Sequence, residues 1–366
     1  MQQYKARPHV VAGIITYTTR NGKYDTAKYL PYFLASYGRQ TFMPQNLLAL
    51  DASVEADNCN IRLLQLAEFP VHLYHPGENL GFAKSYNVLI EEARRLHADY
   101  FLVSNVDMFY EPQAVASLVD TLESHPRAGC ATGKIFHWNF ARADEASQGK
   151  TDILDSAGMS LTVSHHFFER GQGNRDQGFF DRPEEIFGAG GTLALFRMDA
   201  LQKVAYTEPR ETREYYDALM FMYKEDADLA YRLQLAGYPC IYVPQVIAYH
   251  DRTTRKEETG LRGVWRGRKR GSGNSRALSF VHQCIIVQRY AGAHSWRVKF
   301  WTILREVLRV FFVVLYEPQS ARTIAFLWRK RHALRLKKHF IQTHYDPAAY
   351  RRIEKTFMVR RNLFIP

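Results

Sequence analysis

Val10-Val-Ala-Gly-Ile-Ile-Thr-Tyr17 is uncharged and rich in β-branched residues, which is the composition of a buried strand. A helical pattern follows over residues 26–40. Leu47-Leu-Ala-Leu-Asp51 is a second buried strand and ends in a carboxylate. A short third strand is predicted at Val71–Tyr74, a helix at Phe82–Leu96 and a fourth strand at Tyr100-Phe-Leu-Val-Ser104. Pro112 stands where the next helix would start, and that helix should run to about Glu123. Strand and helix alternating at short spacing predict an α/β fold with a mostly parallel, Rossmann-like sheet flanked by helices.

Beyond residue 128 strand-like pieces alternate with glycine-rich turns at Gly158, Gly171, Gly173, Gly178 and Phe187-Gly-Ala-Gly-Gly191. A strand is expected at 192–197, a short helix at 199–204, polar loop at 205–218, a helix at 225–236 and a last strand at 238–243. Residues 251–275, rich in Arg, Lys and Gly, have no periodicity and suggest a basic loop or linker. Three helices are expected at 276–291, 295–316 and 320–341. The expected organisation is a catalytic domain over 1–250, the linker, and a basic amphipathic helical extension over 276–366.

At 366 residues with 46% hydrophobic and 14% aromatic content, the chain buries a large core and is not disordered. The cysteines at 59, 130, 240 and 284 are isolated, which argues against a zinc site or disulfide framework and fits a reducing, cytoplasmic setting. The start, Met-Gln-Gln-Tyr-Lys, leads toward a strand, so no signal peptide is expected. The net charge of +12 is uneven. Residues 251–366 hold 26 Lys+Arg against 7 Asp+Glu, while the preceding 250 hold 23 against 30. A basic tail on an acidic body implies an anionic partner for the tail or a solvated helical surface.

Ligands of doubly wound sheets bind at the carboxyl ends of strands. Thr16-Tyr17, Asp51, Asn79-Leu-Gly81 and Asn105-Val-Asp107 fall there. Asp51 suits a nucleobase donor, Asn79 and Gly81 a tight turn under a nucleotide, and Asp107 a Mg²⁺ or Mn²⁺ ion on a diphosphate. Taken singly, such residues also serve as helix caps. Three carboxylates, Glu225, Asp226 and Asp228, crowd into Tyr223-Lys-Glu-Asp-Ala-Asp-Leu-Ala-Tyr-Arg232. An acidic helix N-terminus accounts for the crowding. It does not account for the apolar flank Leu219-Met-Phe-Met222, nor for His250 beyond the last apolar run. A metal-dependent transferase site accounts for all of these.

In motif order the chain resembles the family-2 glycosyltransferases, in particular their bacterial rhamnosyltransferase-like and galactofuranosyltransferase-like branch. Asn79-Leu-Gly-Phe-Ala-Lys-Ser-Tyr-Asn87 matches the N-x-G-F-A-x-x-x-N segment. Asn105-Val-Asp107 stands in the place of D-x-D, with Asn for the first Asp. Asp155-Ser-Ala-Gly158, Arg170-Gly-Gln-Gly-Asn-Arg-Asp-Gln-Gly178, Phe187-Gly-Ala-Gly-Gly-Thr192 and Glu225-Asp-Ala-Asp-Leu229 with Arg232 match further motifs, and His250 falls where a metal-binding histidine is found. The resemblance implies a GT-A-type fold. It implies Asp107 and His250 as metal ligands, and Thr16, Tyr17, Asp51, Asn79, Gly81, Lys84, Asn105 and Arg170 on the donor. It also implies Asp226 as catalytic base with Glu225 and Asp228 tuning it. The Arg170–Gly178 loop either lines the donor diphosphate or is a simple turn.

The expected activity is inverting transfer of a hexose from dTDP-rhamnose or a UDP-hexose to a polysaccharide or lipid-linked glycan. Two other classes compete. A sugar-phosphate nucleotidyltransferase should carry a basic glycine-rich loop after the first strand, of which Thr18-Thr-Arg-Asn-Gly-Lys23 is a faint version. A nucleic-acid-binding protein would use the basic C-terminal region, but the acidic body repels phosphate and no binding motif is present. In the tail, Trp296, Phe300, Ile303, Leu304, Leu308 and Phe311 recur at helical spacing beside Arg and Lys. Residues 295–341 therefore suit the inner face of the plasma membrane, or packing on the body or on another subunit.

Overall fold

The structure is a computed structural model that describes residues 7–22, 24–207, 213–252, 273–317, 320 and 322–359. In chain order the first half comprises β1 (Val10–Thr16), α1 (Leu30–Gly38), β2 (Asn46–Asp51), α2 (Cys59–Gln65), β3 (Val71–Tyr74), α3 (Gly81–Arg95), β4 (Tyr100–Ser104), β5 (Met108–Tyr110) and α4 (Ala114–Ser124). There follow β6 (Cys130–Trp138), β7 (Lys150–Ser156), β8 (Met159–Thr162), β9 (Phe167–Glu169), β10 (Glu184–Ile186), β11 (Leu193–Arg197) and α5 (Met198–Val204). The ribbon β12 (Tyr206–Thr207) and β13 (Arg213–Glu214) precedes α6 (Glu225–Leu235) and β14 (Cys240–His250). The C-terminal part comprises α7 (Gly273–Tyr290), α8 (Trp296–Tyr316), α9 (Ile324–Arg329), α10 (Arg331–His344), α11 (Pro347–Thr356) and β15 (Met358–Val359).

The main sheet runs β10-β14-β6-β11-β4-β1-β2-β3, with β5 beside β14 and β7 beside β6. Strands β3, β2, β1 and β4 are mutually parallel, as are β6 and β14. Strand β11 is inserted antiparallel between β4 and β6. Alternation along the strands feeds two cores. Val10, Ala12, Ile14, Leu47 and Ala49 pack under α1, α2 and α4, while Val11, Leu48, Leu50, Phe101 and Val103 pack against α3, α5 and α6. Covering both faces explains why these strands lack charge.

Four boundaries depart from the sequence expectation. The last strand of the body does not stop at residue 243 but runs to His250, with an irregularity between Val243 and Ile247. The polar segment after residue 205 contains the β12–β13 pairing. The helix expected over 320–341 is two helices, α9 and α10, broken at Lys330. Helix α11 was not expected; Asp346 caps it by accepting from the Ala348 N–H, and Pro347 opens it. The basic linker falls largely outside the described residues, at 253–272.

The C-terminal helices share a core with the body. Ile285, Ile286, Tyr290, Leu334, Ile341 and Ile353 pack with Ala227, Ala230 and Tyr231 of α6. The Tyr231 and Tyr290 rings stack at 4.1 Å. Helix α6 is thus held between the sheet on one side and the C-terminal helices on the other.

Candidate active site

Asp226 and Asp107 lie on the same edge of the sheet, joined by a short backbone path. The Gly191 N–H points at Asp226 Oδ2 at 3.4 Å, and the carbonyl of the next residue, Thr192, accepts from the Asn105 N–H at 3.1 Å. Asn105 opens the turn between β4 and β5, and Asp107 closes it. The pairing of β4 with β11 therefore fixes the glycine turn and the Asn-Val-Asp turn side by side.

Strand β14 ends beside that turn. His250 Nε2 is 3.3 Å from Asp107 Oδ1, and His250 Nδ1 is 2.8 Å from Asp155 Oδ2. Arg252 closes on the same Asp155 carboxylate, Nε to Oδ1 at 2.7 Å and Nη2 to Oδ2 at 3.2 Å. Burial opposes ionisation of Asp155, but His250 and Arg252 outweigh it and hold the carboxyl down to about 2. Burial also opposes charge on His250, yet the Asp107 and Asp155 carboxylates raise it to about 9.

The ionised Asp155 makes Nδ1 of His250 the donor. With His250 raised to about 9, Nε2 also carries a proton toward Asp107, and a cation that displaced that proton would find a lone pair aimed at it. Asp107 and His250 thus supply one hard oxygen and one imidazole nitrogen. Among the described residues no group of three His, Cys, Asp or Glu forms a cage. Such a donor pair fits an ion whose other positions go to diphosphate oxygens and water, as Mg²⁺-type ions prefer.

The turn into α6 is unusual in its backbone. Tyr223 and Lys224 both have positive φ, 72° and 75°. Each such residue costs about 1–3 kcal/mol and persists only where its surroundings hold it. Here α3 and α7 hold it. The Phe82 N–H donates to the Phe221 carbonyl at 2.7 Å, and His282 Nδ1 lies 2.9 Å and 3.0 Å from the Met222 and Tyr223 carbonyls. Gly81, at φ 75°, permits the approach of α3, since a Cβ there would lie 2.5 Å from the Phe221 oxygen. Asn79 Oδ1 secures this entry by accepting from the Gly81 N–H at 2.9 Å. Asn87 fastens the preceding segment through the backbone of Tyr215 and Tyr216. The Asn79–Asn87 motif therefore positions the acidic turn.

Burial pushes Asp226 above the ordinary Asp value, against the pull of the Lys224 ammonium and the Ala227 and Gly191 N–H groups. Burial, then the Asp226 charge, push Glu225 well above the usual carboxylate range, and its Oε2 has no hydrogen-bond partner among the described residues. Burial thus favours the protonated form of both carboxyls, more strongly at Glu225 than at Asp226. Burial likewise raises Glu169, which accepts from Ser156 Oγ at 2.5 Å and stands against Gly190. Glu169 feels the charges of Arg252, Asp226 and Asp155.

Asp228 is not part of this cleft and does not tune Asp226. Two residues along a helix turn the side chain by about 200°. Its buried carboxylate faces the C-terminal helices, where it meets Arg232 Nε at 2.9 Å, Arg289, Tyr206 and Tyr290. Burial is outweighed by Arg289 and Arg232, so its pKa falls below the ordinary value. Arg289 and Lys337 also bond Asp217, at 2.7 Å and 2.5 Å. Asp228 is a structural anchor joining α6 to α7, and Asp217 extends the network to α10.

The remaining candidates are spread around the cleft. Thr16 and Asp51 end adjacent strands, and Thr16 Oγ1 donates to Asp51 Oδ2 at 2.7 Å. Asn58 takes Asp51 Oδ1 at 2.9 Å, and the carboxylate is fully buried. In this conformation Asp51 braces the strand ends instead of facing a ligand. Tyr17 pairs with Tyr24 at 6.1 Å, and burial followed by the Asp107 and Tyr223 charges raises Tyr24 to about 12. Lys84 is exposed on the first turn of α3. Arg170 is turned to the Ala157 carbonyl and to Glu184, and Asp176 of the same loop is bonded by Lys134 at 2.6 Å. The Arg170–Gly178 loop is thus tied down as a structural turn.

Four residues near the cleft escaped the sequence reading as site members: Asp155, Glu169, Arg252 and Tyr24. Only Asp155 had a signal, in the Asp-Ser-Ala-Gly motif. The others sit in segments without periodicity and are identified by the residues they meet.

The family description "Glycosyl transferase family 2" matches residues 14–205, and "Glycosyl transferase family group 2" matches residues 111–329. Over 241 residues, 63% of this chain and 74% of the relative, the sequence is 25% identical to the N-acetylglucosaminyl-diphospho-decaprenol L-rhamnosyltransferase of Mycobacterium tuberculosis, in both strains CDC 1551 and H37Rv. Among solved structures the fold is similar to GalNAc-T7 with UDP, GalNAc and Mn²⁺, at a TM-score of 0.52 and 11% identity. That alignment covers 78% of this chain and 48% of the other, so this chain spans about half its length.

Proposed function

The chain belongs to glycosyl transferase family 2, and on that premise we propose that it transfers rhamnose, with inversion, from a nucleoside diphosphate donor to a hydroxyl of a lipid-linked or polysaccharide glycan. The carrying observation is the placement of Asp226. It stands on a strained turn at the start of α6, partly open, on the sheet edge that also holds the Asp107–His250 pair. Nucleotide-sugar transfer follows from the family. Rhamnose and the lipid-linked acceptor rest on the mycobacterial relative.

In this reading the acceptor oxygen bonds to the anomeric carbon as that carbon's bond to the diphosphate oxygen breaks. The acceptor proton passes to a carboxylate oxygen of Asp226, and the electron pair leaves on the diphosphate. A positioned base of this kind contributes roughly 10²–10⁴-fold. Arg252, fixed by Asp155, stands ready to offset charge on the departing diphosphate. A divalent cation held by Asp107 and His250 would neutralise that same charge. Tyr17 and Tyr24 offer ring faces to the nucleobase.

The test is a donor panel. Purified protein is given dTDP-rhamnose, UDP-glucose and UDP-galactose with a glycan acceptor, with and without Mn²⁺, and the anomeric configuration of any product is read by NMR. Transfer from dTDP-rhamnose with inversion supports the reading. Transfer only from a UDP-hexose removes rhamnose, and retention removes Asp226 as base.

A further inference from the structure

Helix α8 carries a stripe that no other element among the described residues covers. Trp296, Phe300, Ile303, Val307, Phe311 and Val314 follow one another at steps of three and four, and each is between 53% and 79% exposed. At 1.5 Å per residue the stripe is roughly 27 Å long. Contiguous apolar surface of this length is uncommon on a monomer and marks an interaction site. The opposite face of the helix is docked: Thr302 Oγ1 meets His165 Nδ1 at 2.9 Å, Arg309 bonds the Phe280 carbonyl, and Val298 and Val313 are buried.

Charge identifies the partner. Between residues 296 and 344 there are 11 Lys and Arg and only two acids, Glu306 and Glu317. Glu306 is taken by Arg305 and Arg309, and Glu317 by Arg276. Arg329, Lys330, Arg331 and Arg335 are exposed next to Trp328, whose ring lies 4.5 Å from the Arg331 guanidinium. A second copy brought against this region by two-fold symmetry would set cations against cations. An anionic lipid surface accepts the apolar stripe, the exposed indoles and the cations together. Among the described residues no helix is long and apolar enough to cross a membrane, so the contact lies in the interface plane.

We propose that the outer face of α8, from Trp296 to Val314, lies in the headgroup region of an anionic lipid bilayer, with the Trp328–Arg335 cluster gripping the same surface. The docked face of α8 rests on His165, in the turn between β8 and β9, and on α7, which carries His282. Glu169 ends β9, and His282 holds the turn before Asp226. The anchor therefore packs on the elements that carry Glu169 and that hold the turn before Asp226.

Flotation with phosphatidylcholine vesicles, with and without phosphatidylglycerol, tests this on the full chain. The wild-type protein should float with the anionic vesicles and remain in the dense fraction with the neutral ones. Phe300→Glu with Phe311→Glu should lose at least ten-fold in vesicle affinity while its circular-dichroism melting temperature stays at the wild-type value, since both side chains are outside the core. Arg329→Gln, Arg331→Gln and Arg335→Gln together should remove the preference for phosphatidylglycerol. The proposal is overturned if wild-type protein ignores both vesicles, or if the folded double Glu variant still floats. It is equally overturned if analytical ultracentrifugation finds a dimer that the double Glu variant dissolves while no vesicle binds.

Discussion

His250 Nε2 stands 3.3 Å from Asp107 Oδ1 because β14 runs past its expected end and pairs with β5, setting His250 opposite Met108. The imidazole is oriented from behind by Asp155. Asp155→Asn should then weaken Mn²⁺-dependent binding of a nucleoside diphosphate about 10–100-fold, the usual cost of removing an orienting partner. Asp107→Ala should abolish the Mn²⁺ dependence outright. Titration calorimetry with and without Mn²⁺ measures both; identical affinities for wild type and Asp107→Ala would remove this pair from metal binding.

The pH dependence of activity should report Asp226. Its pKa is raised by burial, and the base must be ionised. The acid limb of kcat/KM should therefore lie above about 3.9, the ordinary Asp value. The sign for stability is opposite. A carboxyl with a raised folded-state pKa contributes stability below its unfolded pKa, and that contribution is lost as pH rises through the folded value. Above the folded-state pKa the ionised Asp226 thus detracts from stability, and Asp226→Asn should melt no lower than wild type there. Thermal melts at several pH values check it, and a clearly lower melting temperature would contradict the assignment.

The Asp228–Arg289–Asp217 network should behave in reverse. Burial is outweighed by their cations, and both carboxyls are held below the usual range. Their stabilisation is present above about 3.9 and is lost as pH falls toward the folded values. Arg289→Ala leaves buried carboxylates uncompensated and should cost roughly 3–5 kcal/mol at neutral pH. Urea unfolding at pH 7 and at pH 4 should show that cost shrinking in acid.

His282 should matter to rate more than to donor binding. It bonds the Met222 and Tyr223 carbonyls of the left-handed turn that aims Asp226. His282→Ala should lower kcat while the donor KM holds, and His282→Asn, which retains a donor near the Nδ1 position, should recover part of the loss. Equal falls in both variants, or a fall in donor affinity alone, would assign His282 to general packing.

Much of this was legible in the sequence because it is local. The uncharged β-branched runs announced strands covered on both faces, and the motif order announced the family. Asp107, Asp226 and His250 could be put forward from sequence because each stands at or next to the end of an element. Asp228 was misassigned because its partners Arg289 and Asp217 are remote in the chain, and adjacency to Asp226 concealed that the helix turns it away. Glu169 ends the short strand β9, Arg252 and Tyr24 lie in irregular segments, and the placement of all three depends on pairings no periodicity records. The break at Lys330 was missed because Trp328 through Leu336 remains a good helical composition on both sides of it.

The central claim is that Asp226 takes the acceptor proton. Single-turnover transfer from a radiolabelled nucleotide sugar by Asp226→Asn, with nucleoside diphosphate affinity measured alongside, tests it most directly. A rate reduced by about 10²–10⁴ with unchanged nucleotide affinity is the predicted result. Transfer within a few-fold of wild type would contradict it.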